Sequence, residues 1–141
     1  MNSIIPGFRV GEEVAVVAFP AIHVGLISGY SARGEPLVIS NSLRRGGVVE
    51  ETLAEFAREG QPWSMGFRGK LPSELVVQRA RSMLGRRWSL GFNCEHFVRS
   101  ACGEAETSPQ LQFWLLALAT GAALLLDPRG RAAALKFLRS A

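Results

Sequence analysis

Four apolar, β-branched stretches follow one another before any helical pattern begins, and this order constrains the fold more than any other feature. "EEVAVVAF" (12–19) is closed by Pro20, and "HVGLISGY" (23–30) follows after a short turn, so the two predict a strand pair. A Gly-containing turn leads to "EPLVISNS" (35–42), and "RRGG" (44–47) supplies another before a short fourth strand, "VVEE". Strands joined by turns this short pair antiparallel. Helical patterns come only afterwards, so the expected class is α+β, an antiparallel sheet packed on helices.

Thr52 followed three residues later by Glu55 matches a capping box, predicting a short helix over 53–60 that Gly60 ends. Residues 73–85 place Leu75, Val76, Ala80, Met83 and Leu84 at near-helical spacing, a core-packing stripe stopped by Gly85. Asn93 can cap a helix from Cys94 to about Cys102, with Gly103 as its stop. Ser108-Pro109 is a further cap-plus-first-turn signal. Between Leu111 and Leu126 only Gln112 and Thr120 are polar. At 141 residues the chain supplies material for one core. The expected organisation is a single domain over 1–107 and a C-terminal apolar helix with a basic amphipathic tail over 108–141.

The chemistry centres on "NCEHFV" (93–98). If Asn93 is the cap, Cys94 occupies the first helical turn, where unpaired amides and the positive end of the helix dipole converge. That setting favours a thiolate, the attacking species in acyl transfer, and the same amides can receive the oxyanion of a tetrahedral intermediate. A buried, inert cysteine is the plain alternative. A base is also required, and the sequence holds two histidines. His96 lies two positions beyond Cys94, about 200° around the helix, which suits packing or capping. His23 opens a strand and shares a face with Gly25 and Ile27, so Gly25 leaves room beside the imidazole. A third polar group usually orients such a ring. Strand three offers Ser40 and Asn41, which point to opposite faces, so at most one can reach His23. Either can instead simply begin the turn.

These residues resemble a known family. "NCEHFV" is similar to the cysteine motif of the lecithin:retinol acyltransferase-like proteins, and "HVGLISG" to their histidine strand. "VISNSLRRGGVVEETLAEFAREG" and "ARSMLGRRWSLGFNCEHFV" extend the likeness over most of residues 10 to 103 in the family's order. The resemblance implies a circularly permuted papain-like fold within the wider NlpC-like thiol hydrolases. It also implies acyl transfer from glycerophospholipids through a cysteine thioester, with Cys94 as nucleophile, His23 as base and no cofactor or metal. The family's third catalytic position is commonly a second histidine, where this chain has Ser40. A serine can accept a hydrogen bond from the ring without offering the same charge stabilisation, and Asn41 is the substitute candidate.

As a helix, residues 111–126 would be about 24 Å long, against roughly 30 Å for a hydrocarbon core. Being apolar all round, the segment must be buried in protein or sit in lipid. Arg129, Arg131, Lys136 and Arg139 can meet anionic head groups while Leu135, Phe137 and Leu138 dip inward. The formal charge of +4, with Arg44, Arg45, Arg86 and Arg87 in two pairs, also suits an anionic surface. Without a nucleic-acid motif, no nucleic-acid partner is expected. "MNSIIPGFRVGEEV" lacks a charged stretch followed by an apolar one, so a cytoplasmic, membrane-associated location is expected.

The leading reading is therefore a thiol acyl hydrolase or acyltransferase acting on a lipid ester. The alternatives are an NlpC-type peptidase or amidase acting on cell-wall peptides, and a catalytically silent membrane-binding module. A metal site built from His23, Cys94, His96 and Cys102 ranks last, because no zinc-type paired spacing is present.

Overall fold

The computed structural model describes residues 7–129, 131, 132, 135 and 136. The chain divides into two compact units, Met1–Ser108 and Pro109–Ala141.

In the first unit, β1 (Glu13–Ala18), β2 (Ala21–Tyr30), β3 (Pro36–Ser42) and β4 (Gly47–Thr52) form a meander. After the short helix α1 (Leu53–Ala57), the chain crosses back to add β5 (Trp63–Gly66) beside β1. The sheet order is β4-β3-β2-β1-β5, antiparallel throughout. Helices α2 (Ser73–Ser82) and α3 (Cys94–Ala101) follow. This is the α+β class that the strand-first order predicts. β5 was not foreseen, because it is four residues long and mostly exposed.

Side chains alternate across each strand, and each face of the sheet builds its own core. Ala15, Val24, Leu26, Ile39 and Val48 pack with Val76 and Ala80 of α2 and with Phe97, Val98 and Ala101 of α3. On the other face, Val14, Val16, Ile27 and Val38 pack with Phe8 and with Leu53 and Phe56 of α1.

Local chemistry sets the helix ends. Thr52 and Glu55 form the expected capping box: Thr52 Oγ1 accepts from the Glu55 amide at 3.2 Å and Glu55 Oε2 from the Thr52 amide at 2.9 Å. The helix stops at Ala57 rather than running to Gly60, because Arg58 turns to φ 53°. α2 likewise ends at Ser82, short of Gly85. Of its predicted stripe, Val76 and Ala80 are buried, joined by Val77, while Leu75 is exposed. Leu84 lies past the end of the helix and is exposed too.

Gly25 has a different use from the one expected. A Cβ there would stand 2.6 Å from Val38 Cγ1, 3.0 Å from the Ile39 carbonyl oxygen and 3.1 Å from Ser40 Cβ. The missing side chain makes room for β3, not for an imidazole.

The second unit is led by α4 (Pro109–Leu126), with Pro109 in the first helical position as expected. Its 18 residues rise about 27 Å. None of them is buried, and the helix is long and apolar enough to cross a membrane by length and composition. Arg129, Arg131, Leu135 and Lys136 of the expected basic tail are exposed, while Phe137, Leu138 and Arg139 lie outside the described residues.

Candidate active site

Asn93 caps α3 as its sequence context requires. Its Oδ1 accepts from the amides of Glu95 at 3.0 Å and His96 at 3.3 Å, and His96 Nδ1 accepts the Asn93 amide at 3.2 Å. The pair is a capping box with histidine in the place usually held by glutamate or glutamine. His96 is therefore a buried capping residue, one of the two roles expected for it. Asn93→Ala strips both acceptor contacts from the first turn and should cost about 1 kcal/mol. A shift of the urea midpoint at unchanged slope would measure it.

Cys94 is half-buried and packs against the α2–α3 side of the core. Its sulfur faces the backbone amides of Val24, Glu95 and Cys94 itself, all of which favour the thiolate. Burial acts in the opposite direction and is the larger effect, and the Glu95 carboxylate adds to it, so the thiol is pushed up from its ordinary value. The helix-start amides favour the thiolate as expected, but desolvation outweighs them and the thiol is held above its ordinary value.

The Val24 amide reaches this position because β2 and β3 part early. Their ladder runs from Leu26↔Ile39 to Tyr30↔Pro36, leaving the first residues of β2 unpaired on that side. The peptide bond that joins His23 to Val24 is consequently beside the sulfur.

The His23 ring takes another direction. It pairs in register with Val16, shares the α1 side of the sheet and stacks on Phe56, with ring centroids 4.9 Å apart and an interplanar angle of 28°. No hydrogen bond joins it to Cys94, Ser40 or Asn41 in this conformation. Burial, helped by the charge of Arg44, pulls its pKa from 6.5 down to about 4, so the ring is neutral near pH 7. Unfolded chains would bind a proton at this ring between those two values while folded chains would not. The stability gained by keeping it neutral is therefore complete above about pH 6.5 and is lost as pH falls toward 4. Urea midpoints should decline more steeply across that window for the native chain than for His23→Gln. Parallel declines would mean that the ring titrates as a free imidazole.

Ser40 and Asn41 are both fully buried and lie on opposite faces of β3. Ser40 stands over Gly25 on the His23 side, and its Oγ has no hydrogen-bond partner. Asn41 donates from Nδ2 to the Phe92 carbonyl at 2.6 Å, two residues before Cys94, and its Oδ1 is unpaired. Neither orients the His23 ring. Asn41 instead fixes the approach to the α3 cap, a role its position in the strand did not disclose.

The structure thus sets Cys94 by the Val24 amide, with Asn41 holding the Phe92 carbonyl two residues before it, and sets His23 with Phe56 and Arg44. Phe56 and Arg44 were missed as site residues because no local pattern links them to His23. Cys94 and Cys102 are both free thiols. Cys102 is buried, and its pKa is pushed up to about 11, first by burial and then by Glu13. Among the described residues no group of three or more His, Cys, Asp or Glu side chains is placed to hold a metal ion. The chain matches no model of a known protein family, and no curated protein matches it.

Proposed function

We propose that the protein is a thiol-dependent acyl hydrolase or acyltransferase acting on a lipid ester such as a glycerophospholipid, within a permuted papain-like fold. The observation that carries the reading is the Cys94 sulfur at the start of α3, faced by three backbone amides and set beside the peptide bond of His23. A strand bearing histidine that precedes a helix headed by cysteine is the order the resemblance calls for. The exposed apolar α4 suits an enzyme whose substrate lies in a bilayer.

In this mechanism the resting groups are a neutral thiol and a neutral imidazole. The His23 ring turns off Phe56 toward the sulfur and takes its proton as the sulfur attacks the ester carbonyl carbon. The helix-start amides hold the oxyanion, and collapse expels the lyso-lipid alcohol, which receives the proton from the imidazolium. Water, or an amine or alcohol acceptor, then attacks the thioester and passes its proton to His23, which returns it to the departing Cys94 sulfur.

One observation favours a second reading, a silent membrane-binding module: the His23 ring is stacked on Phe56, and no hydrogen bond links it to Cys94 or Ser40. A single experiment separates the two. The full chain is mixed with phosphatidylcholine vesicles or with a murein peptide, and intact mass is recorded before and after hydroxylamine. A hydroxylamine-labile acyl adduct from lipid is expected. Peptide cleavage without an adduct would make it an NlpC-type amidase, and vesicle binding without adduct or turnover would make it the silent module.

A further inference from the structure

The end of the sheet where β2 begins is also where β1 and β3 finish, so the turns there surround the site. Phe19, in the β1–β2 turn, is 94% exposed. Leu43 is 67% exposed in the β3–β4 turn, and Leu90 is 63% exposed in the turn just before Cys94. Those last two turns are joined, since the Trp88 amide donates to the Gly46 carbonyl at 3.0 Å. Large apolar side chains at three neighbouring turn tips form a surface that water does not favour.

Basic residues flank these tips. Arg44 and Arg45 follow Leu43 directly, and both guanidiniums pair with Glu51, which is buried, so exposed positive charge overlies a buried carboxylate. Glu55 also meets Arg45, and Glu106 meets Arg86. Arg87 is exposed and has no ion pair among the described residues. The chain leaves the first unit close by: the Ser108 hydroxyl donates to the Glu95 carboxylate, one residue from Cys94, and Pro109 begins α4.

We propose that this end of the first unit is an interfacial docking surface for an anionic bilayer. Phe19, Leu43 and Leu90 enter the head-group layer, and Arg44, Arg45 and Arg87 lie over lipid phosphates. The inference deepens the lipid-ester reading by giving the site a route to its substrate, but its test needs no catalysis. An apolar α4 in lipid would draw its attachment point at Ser108 to the surface, and with it the start of α3.

The test uses the full chain bearing one environment-sensitive fluorophore, on Phe19→Cys, Leu43→Cys or Arg33→Cys, in a background of Cys94→Ala and Cys102→Ala. Arg33 lies in the β2–β3 turn at the opposite end of the sheet. Vesicles contain phosphatidylcholine alone or with phosphatidylserine. Emission from 19 and 43 is expected to move to shorter wavelength and to be shielded from aqueous iodide, more so on the anionic vesicles, while the probe at 33 stays in water. An equal shift at 33, or none at 19 and 43, would overturn the proposal. A shift before any vesicle is added would also overturn it, in favour of a second copy of the chain covering the face. Hydrogen exchange on the unsubstituted chain provides the same comparison without thiol changes: vesicles should slow exchange in residues 17–22 and 43–46 relative to 31–34. Uniform slowing, or none, would reject the docking surface even if the acyl adduct forms.

Discussion

Cys94→Ala should reduce lipid-ester turnover by roughly 10⁴-fold or more, the scale seen when a covalent nucleophile is removed from a triad-type site. The argument rests on what the side chain does and does not hold together. Cys94 is half-buried at the rim of its core cluster, so replacing a thiol with a methyl group removes little packing. The cap of α3 belongs to Asn93 and His96, not to the cysteine. The variant should therefore keep its circular dichroism spectrum and urea midpoint while losing the hydroxylamine-labile adduct. Cys94→Ser retains a hydroxyl facing the same amides, but alcohol is a far weaker nucleophile without a strong base, and it should be nearly as inactive. Turnover within ten-fold of the native chain in either variant would remove the covalent mechanism.

Phe97→Ala should destabilise the first unit by about 3–5 kcal/mol. Phe97 is fully inaccessible and sits where α3 meets β2, β3 and α2. Its ring cannot be replaced by rearrangement of near neighbours, because Leu26, Ile39, Val98 and Ala101 are already closely packed and just as buried. Since domains of this size are stable by about 5–15 kcal/mol, the loss would be at least about a fifth of the total. Urea denaturation followed by fluorescence would measure it, and a change below about 1 kcal/mol would mean that α3 is held mainly by its cap. The two variants separate the roles proposed for one helix: chemistry at its first residue and stability at its fourth.

Much of the architecture was legible because it is written in local chemistry. Strand alternation, the Thr52–Glu55 box, the Asn93 cap and Pro109 all act over a few residues, and each appears where the sequence puts it. β5 was hidden because it is four residues long and mostly exposed, and α1 ends early because Arg58 takes a conformation usually left to glycine. For the candidate site, position was legible but direction was not. The alternation of β2 and β3 correctly put Ser40 and Asn41 on opposite faces and His23 with Ile27. It could not say that the ring would find Phe56 from a helix thirty-three positions on, nor that the early parting of β2 and β3 would aim the Val24 amide at the sulfur. Burial likewise decided the state of the thiol, and burial is a property of the folded whole.

The reciprocal cap at the start of α3 has one more implication, for the second imidazole. Because Nδ1 of His96 accepts the Asn93 amide, the ring's own hydrogen must reside on Nε2. That lone pair is already spoken for, so His96 has none left on Nδ1 to draw a hydrogen from sulfur or to ligate a cation.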